Sequence, residues 1–400
     1  MTKKVIISTL SFVSLIFFHF PLYSYEANLS GGGRVRYESI SNSDFVSNVE
    51  DYKSFTGSRF WLNGDFKVSE YHLFFQPQFS RTWGLDEAGV GSTSGATNDP
   101  RLNVHQAYIQ FPFLNMENVS LKLGRQEFAY GDELVLGPVG WSNVGRSFDA
   151  LKAEMKYEDW QLDLFSSKLS DKNSTSPSDG DRDLHGAYLS GRRDKEFLQE
   201  TDLYFLNLNE STTNPRVDLL AYGLRLKGHD DSWDYRFEFT QEDIDSEFEN
   251  QGDAEVGYKF SKNRLAFNYF NASKAYNQMY PTAHKWLGAA DVLSRKNIEG
   301  FQVKHGYQWS ESLRTDLSYF NFSRQSTNAT AYTFSGAALG STTLTNKEVG
   351  QEFDLILNYI QSSELSYQLG GAQFLPGKYL KDSGYPDSFL FIYLQVLLKI

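Results

Sequence analysis

The chain is built from segments in which apolar and polar residues alternate strictly. The clearest example spans residues 232–241, where Trp, Tyr and two Phe on one face alternate with Asp, Arg, Glu and Thr on the other. Such a period of two is typical of a β-strand whose two faces meet different surroundings. About eighteen segments of roughly 9–13 residues carry this pattern, and that length suits a strand that crosses a lipid bilayer at a tilt.

The connections between these segments are alternately short and long. Bacterial outer-membrane barrels have short periplasmic turns and long extracellular loops, whereas a soluble β-sandwich has no reason to keep the two kinds out of phase. The predicted fold class is therefore an all-β, transmembrane, antiparallel up-and-down β-barrel of about 18 strands. The predicted short turns are 69–70, 113–116, 158–159, 192–197, 228–231, 261–263, 310–312 and 361–364, and the predicted long loops are 39–55, 84–101, 130–145, 170–184, 209–216, 242–252, 273–296, 324–347 and 375–387.

The direction of the apolar faces supports the same fold. A soluble barrel of about eighteen strands would enclose a volume too wide for side chains to fill. If the aromatic and aliphatic faces meet lipid instead, the charged faces line a wet lumen, and closure of the barrel satisfies every backbone hydrogen bond. With both termini in the periplasm, we expect an even number of strands.

The N-terminal residues 1–24 are predicted to be a signal peptide. Lys3 and Lys4 give a basic start, and an apolar run of about sixteen residues follows over 5–20. This run is shorter than the ~20 residues that a membrane-spanning helix needs, so an uncleaved anchor is the less favoured alternative. After cleavage, residues 25–400 are expected to form a single barrel domain in the outer membrane of a Gram-negative cell.

The composition narrows the functional classes. The formal net charge is −12, which argues against a nucleic-acid binder, and cysteine is absent, which excludes disulfides and Cys-based metal sites. The sequence contains no G-x-S-x-G elbow, phosphate-binding loop, H-E-x-x-H or dinucleotide-binding glycine pattern. We therefore predict neither an enzyme nor a bound cofactor or metal. Two rival hypotheses stay open, a barrel-type outer-membrane enzyme and a soluble periplasmic carbohydrate-binding protein.

Charged residues on the polar faces are the candidate lining of the lumen. Their parity gives a mixed but slightly basic set, and rings of basic side chains favour anions. The alternative is that these charges only pair across strands and keep the lumen wet. The glycine-rich loop 84–101 is expected to fold inward as a constriction. The basic residues that we expect along the solute path by parity are Arg34, Arg36, Arg59, Arg146, Lys152, Arg225, Arg236, Arg264 and Arg314.

Several motifs resemble the alginate export family of bacterial outer-membrane porins, and together they cover nearly all of the mature length. The most extended is GRQEFAYGDELVLGPVGWSNVGRSFDA, at residues 124–150. The other matching motifs are RVRYE at 34–38, HQAY at 105–108, YPTAHKWLGAAD at 280–291 followed by Arg295-Lys-Asn297, GQEFDL at 350–355, and Gly370 through PGKYL at 376–380.

The resemblance implies a monomeric barrel of eighteen strands with an arginine-rich passage for an anionic polysaccharide. Arg34, Arg36, Arg125 and Arg146 lie in the matching motifs. Parity alone would direct Arg125 toward lipid, unless a β-bulge or the barrel rim re-aims it. Two features depart from the family: connection 361–364 is short where the exporter that names the family has an extended periplasmic turn, and the chain does not end in an aromatic residue.

These observations predict an outer-membrane, porin-like channel that passes anionic or sugar-type solutes. Export of an alginate-like polysaccharide is its sharper form, and a general diffusion porin with no polysaccharide role is the alternative. The expected partners are outer-membrane lipid and the anionic or sugar-like solute, with no nucleic acid, and the protein is expected to be a monomer.

Overall fold

A computed structural model of the chain describes residues 25–46, 51–83, 102–114, 116–170, 181–193, 197–210, 217–244 and 246–400. The predicted signal peptide and the whole of the predicted constriction loop 84–101 lie outside these residues. The strands are β1 (Tyr25–Ser41), β2 (Lys53–Val68), β3 (Tyr71–Trp83), β4 (Leu102–Phe113), β5 (Met116–Gln126), β6 (Phe148–Tyr157), β7 (Trp160–Ser170), β8 (Arg182–Arg192), β9 (Glu200–Glu210), β10 (Val217–His229), β11 (Trp233–Ile244), β12 (Glu247–Phe260), β13 (Asn263–Ala272), β14 (Ile298–Gln308), β15 (Leu313–Ser323), β16 (Ala331–Tyr332), β17 (Ala338–Leu339), β18 (Glu348–Ile360), β19 (Leu365–Pro376) and β20 (Phe389–Lys399).

Eighteen of these strands form one closed antiparallel sheet. Each strand pairs with its neighbours in the chain, and the first strand closes the ring by pairing with both β2 and β20. The remaining two, β16 and β17, form a small separate hairpin. The predicted fold class is therefore confirmed. A short helix, α1 (Lys378–Asp382), precedes the last strand, and no described helix is long and apolar enough to cross a membrane.

The two faces of the wall follow the predicted parity. On β1, the side chains of Val35 and Tyr37 are about two-fifths exposed on the outside, whereas Arg34 and Arg36 are buried on the inside. Phe60 on β2 belongs to the same outer face. The apolar residues thus form a continuous exterior suited to lipid, as expected for a barrel whose backbone polar groups are all paired within the wall.

One predicted long loop, 242–252, is wrong. The sheet continues through it, because β11 and β12 pair up to Ile244 and Glu247 and leave only a tight turn between them. The acidic run suggested a solvated loop, but Glu242 and Glu249 are register partners on the buried inner wall. There the Glu242 carboxylate accepts a hydrogen bond from the backbone N–H of Asn277, at 2.8 Å. Long loops that fold back into the barrel therefore protect polar residues that the sequence pattern places in solvent.

The half of the lumen nearer the long loops is packed with apolar side chains, which the sequence reasoning did not anticipate. Phe270, Phe322 and Phe374 point inward from the wall and are fully buried against loop residues such as Tyr379. A second cluster joins Phe128 and its loop neighbours to the inner faces of β6–β10. Because this apolar surface is covered by inward-folded loops, it adds a core inside the barrel, whereas the opposite half keeps charged walls.

Candidate permeation site

Two connections between strands fold into the barrel and meet there. We call residues 127–147, between β5 and β6, inner loop A, and residues 273–297, between β13 and β14, inner loop B. Their backbones pair like short strands: Gly137 N–H donates to the Tyr280 carbonyl at 2.8 Å, and Tyr280 N–H donates to the Val135 carbonyl at 3.0 Å. A Cβ on Gly137 would lie 2.5 Å from Thr282 Oγ1, so the close approach of the loops requires glycine at this position.

Inner loop A is attached to the barrel wall at β1 by two arginines. The Arg34 guanidinium donates to the carbonyls of Gly140 and Ser142, at 2.7 and 2.8 Å, and Arg36 donates to the Trp141 carbonyl at 2.9 Å. Backbone carbonyls at the tip of a loop lack partners within the loop itself, so these charged donors satisfy groups that would otherwise be buried unpaired.

The Trp141 side chain joins inner loop A to inner loop B. The Arg36 guanidinium lies 3.6 Å from the centre of its ring, and the His284 imidazole stacks on the ring at 3.7 Å with an interplanar angle of 8°. Two groups at such short distances must occupy opposite faces of the indole. The ring of Tyr393 meets its edge at 5.0 Å. This Arg–Trp–His sandwich therefore fixes loop A, loop B and the wall to one another.

The other end of inner loop A is attached on the far side of the barrel. Asp132 pairs with Arg225 at 2.6 Å and with Lys227 at 2.9 Å, both on β10. In a ring of eighteen strands, β1 and β10 are half a turn apart, so loop A spans the lumen from wall to wall. Burial alone would raise the pKa of Asp132, but the charges of Arg225 and Lys227 outweigh burial and lower it.

Three of the predicted arginines surround the β1 end of inner loop A without an acidic partner. Among the described residues, no carboxylate oxygen lies within 4 Å of Arg34, Arg59 or Arg146. Arg34 and Arg59 face each other in adjacent strands, and a Cβ on Gly145 would lie 3.2 Å from the Arg59 guanidinium. Arg146 donates to the carbonyls of Gly137 and Pro281, and its burial lowers its pKa to about 10, which leaves it charged at neutral pH.

The other predicted lumen cations are neutralised within the wall. Each has a carboxylate partner on the same or a neighbouring strand, in networks that leave little net charge. These pairs are Arg36 with Glu38 at 2.7 Å, Lys152 with Glu154 at 2.7 Å, Arg225 with Asp202 at 2.7 Å, Arg236 with Asp253 at 2.7 Å, Arg264 with Glu255 at 2.7 Å and with Asp234, and Arg314 with Asp316 at 2.6 Å.

The structure places Arg125 outside the barrel, which corrects its inclusion among the lumen residues. From Ser120 to Arg125 its strand pairs in regular register with both neighbours, so Gly124 does not shift the parity despite its φ of 124°. Arg125 shares the outer face with the exposed Leu123 and pairs with Asp149 at 3.1 Å, where both side chains are largely accessible. The match to the family motif led to the wrong face, and the parity argument was right.

Sequence reasoning missed Trp141, His284 and Asp132 as functional residues. Trp141 and His284 both lie in the quoted motifs, yet nothing in a single sequence shows that these two loops meet. Asp132 lies in the motif at 124–150 as well, and nothing in the sequence distinguishes it from the other loop carboxylates. In the part of the chain that the structure describes, no three of the His, Asp and Glu side chains come close enough together to hold a metal ion.

Comparison with protein families gives one match, to the alginate export family, over residues 25–388. The chain belongs to the alginate export family. The predicted resemblance is therefore confirmed, and this family together with the barrel fold implies an outer-membrane channel. No curated protein sequence matches this alginate export family member.

Several solved structures share the fold of this family member at low identity. The outer membrane protein opdK from Pseudomonas aeruginosa is 13% identical, with a TM-score of 0.64 over 94% of this chain and 98% of that chain. OccAB4 from Acinetobacter baumannii is 10% identical, with a TM-score of 0.65 over 93% of this chain and 98% of that chain. OpdO from Pseudomonas aeruginosa is 12% identical, with a TM-score of 0.65 over 94% of this chain and 97% of that chain.

Proposed function

We propose that this outer-membrane channel passes anionic or sugar-type solutes, as a monomer that reaches the membrane after cleavage of residues 1–24. The observation that carries the proposal is the group of three arginines, Arg34, Arg59 and Arg146, beside the loop that spans the lumen. Their charges have no carboxylate within 4 Å among the described residues, and the acidic charges that act on them, Glu38 and Glu127, are farther away, so an anion that passes inner loop A meets a net positive field.

Small solutes are the favoured cargo. Inner loops A and B cross the barrel and are held to each other and to two opposite walls, which narrows the space available to a solute. Passage of an alginate-like polymer is the second candidate function, supported by membership of the family. It requires loop A to leave the wall, whereas diffusion of a small anion does not.

Reversal potentials in planar bilayers under a KCl gradient test the charge selectivity. At a distance of ~6 Å in water, one unit charge contributes about 0.7 kcal/mol, and 0.1 M salt reduces this by roughly half. Each arginine attracts the anion and repels the cation by this amount, so two arginines together change the difference between the two ions by about 1.4 kcal/mol. The double substitution Arg34→Gln/Arg59→Gln should therefore lower the anion-to-cation permeability ratio about tenfold.

Arg125→Gln is the matched control, because it removes an arginine that faces outward. We expect its selectivity to equal that of the wild type, and Arg34→Lys/Arg59→Lys to stay anion-selective because the charges remain. A cation-selective wild type, or a double Gln variant with unchanged selectivity, would overturn the proposal. Liposome swelling with glucuronate, glucose and an oligouronate then separates the small-solute function from polymer passage.

A further inference from the structure

The C-terminal part of inner loop B is attached to two carboxyl groups of the barrel wall. Glu352 and Asp354, which we call the acid pair, point inward from the same face of β18 and are both buried. The backbone N–H of Ala290 donates to Glu352 at 2.9 Å, and that of Ala289 donates to Asp354 at 3.2 Å. Gly288 has a φ of 96°, and a Cβ at this position would clash with the Glu352 carboxyl group. The loop backbone therefore lies directly on the acid pair, which requires glycine at residue 288.

The acid pair has little positive charge near it. Among the described residues, no lysine or arginine nitrogen lies within 4 Å of either carboxyl group. From inner loop B, Asp291 adds a negative charge, and His284 binds this carboxylate at 2.9 Å. From β20, Tyr393 faces the pair, while Arg36, which also acts on Tyr393, is engaged by Glu38 at 2.7 Å. The neighbouring strands β15 and β19 contribute only uncharged register partners, Phe320, Ser318, Phe374 and Ala372.

The geometry of the acid pair requires a proton. The two carboxyl groups are within hydrogen-bonding reach of each other, and Glu352 Oε2 and Asp354 Oδ1 have no other donor among the described residues. An ionised carboxylate can only accept a hydrogen bond, so two carboxyl groups attract each other only if one keeps its proton. Two buried charges would repel each other and would also lack hydration. Inner loop B is therefore attached to a pair that holds at least one proton.

The N-terminal part of inner loop B is attached in the same manner. Glu242 on β11 is fully buried and accepts a hydrogen bond from Asn277 N–H at 2.8 Å. Its other oxygen, Oε1, has no donor in the described part of the chain, and its register partner on β12 is a second acid, Glu249. From inner loop B, the Tyr276 hydroxyl faces Glu242, and Lys296 acts on it from beyond 4 Å. Both ends of inner loop B thus hydrogen-bond to buried acids that no close cation neutralises.

We propose that inner loop B is a pH-sensitive gate, which stays attached while Glu242 and the acid pair hold protons and is released as the pH rises above neutral. In the detached state these carboxyl groups reach water, where a carboxyl group has a pKa of about 4 and is ionised at neutral pH. The attached state therefore binds more protons, and a higher pH favours detachment. Each such proton changes the ratio of the two states by up to tenfold per pH unit. The sign is opposite to that of Asp132 in inner loop A, whose ion pairs are lost in acid.

Single-channel recordings between pH 5 and about pH 9.5 test the gate, since a released loop widens the lumen. Up to pH 7 the backbone pairs between the two inner loops keep the detached state rare. Above pH 7, steps to a higher conductance should become more frequent in the wild type, by about tenfold per pH unit. Glu242→Gln/Glu352→Gln keeps an acceptor for both loop N–H groups but cannot ionise at these positions, so its steps should stay as rare at high pH as at pH 7. Glu364→Gln is the matched control, because Glu364 lies exposed in the turn of the β18–β19 hairpin, and it should keep the response of the wild type.

Two results would overturn the gate. One is a wild-type step frequency that stays constant from pH 7 to the most alkaline recording. The other is a double Gln variant that responds to alkaline pH as the wild type does, because lysines or tyrosines would then be the titrating groups. If the double variant forms no channel, Glu352→Gln alone decides: its step frequency at the highest pH should be at least about tenfold below that of the wild type, and an equal frequency refutes the proposal.

Discussion

Replacing Trp141 by alanine tests whether the contact between the two inner loops controls the pore. The substitution removes the indole between Arg36 and His284 but leaves the backbone carbonyl that Arg36 also contacts. A cation–π contact in a partly buried place contributes about 1–2 kcal/mol, and a stacked aromatic pair about 0.5–1.5 kcal/mol. Loss of both contacts should therefore destabilise the attached state of inner loop A by about 2–3 kcal/mol relative to a displaced state.

A change of this size raises the population of the displaced state about 30- to 150-fold, because each 1.4 kcal/mol is a factor of ten. In single-channel recordings, Trp141→Ala should therefore show frequent steps to a higher conductance that are rare in the wild type. Trp141→Phe should lie between the two, because it keeps a smaller ring. Trp309→Ala is the matched control, since Trp309 is exposed at the other end of the barrel and does not contact either loop.

A disulfide offers a direct check of the cause. The chain has no cysteine, so Leu136→Cys/Tyr280→Cys introduces a single pair at the two positions where inner loops A and B form a β-bridge. Closing it in the Trp141→Ala background should suppress the additional conductance steps, and reduction should restore them. If Trp141→Ala shows the conductance and the step frequency of the wild type, the Arg–Trp–His sandwich does not hold the loops and our reasoning fails.

Two further predictions concern other attachments of the inner loops. Asp132→Asn should weaken the attachment of inner loop A at β10 by about 1.5–3 kcal/mol and increase the frequency of current steps. Arg225 keeps its ion pairs with Glu200 and Asp202 in this variant. The pKa of Asp132 is lowered in the folded protein, so its contribution to the attachment at β10 is complete above the ordinary value of 3.8 and is lost as the pH falls through the lower folded value. Recordings at pH 7 and pH 5 should therefore agree, and acidification below 3.8 should increase the number of current steps. Glu352 is buried, has no cation within 4 Å among the described residues and accepts a hydrogen bond from Ala290 N–H at 2.9 Å. Glu352→Gln should therefore keep or raise the midpoint of thermal unfolding. Glu352→Ala should lower the free energy of unfolding by about 1–3 kcal/mol, because the Ala290 N–H loses its acceptor. A midpoint that falls equally in both variants would contradict this account.

The barrel itself could be predicted from sequence because its determinants are local. Alternation along each strand sets which residues face lipid, and the parity of Arg125 with Leu123 gave the right face even where a motif suggested otherwise. The one loop that was wrong, 242–252, failed for a physical reason: carboxylates such as Glu242 are usually solvated, and here an inward-folded loop shields one. Whether a polar run lies in solvent depends on chain segments that are distant in sequence.

The candidate site could be predicted only as a list of charges. Parity identified Arg34 and Arg59 as inward residues, but it could not distinguish them from Arg236 or Arg264, which have carboxylate partners on neighbouring strands. That distinction depends on register between strands and on the path of inner loop A, which no periodicity encodes. The predicted constriction by loop 84–101 stays a prediction, while residues 127–147 fold into the lumen.

The distribution of compensated and uncompensated cations implies a division of labour between the walls. Around β10–β14 the charges pair so fully that the wall serves as a polar scaffold, to which Asp132 attaches one end of inner loop A. At β1 the Arg34 guanidinium donates its hydrogen bonds to loop carbonyls, which are dipoles rather than charges, and so it keeps its net charge. The same contacts that hold the loop across the lumen therefore leave its β1 end positive. Any substitution that gives Arg34 a carboxylate partner should lower the anion-to-cation permeability ratio about threefold while leaving the loop in place, and this separates the electrostatic role of the arginine from its structural one.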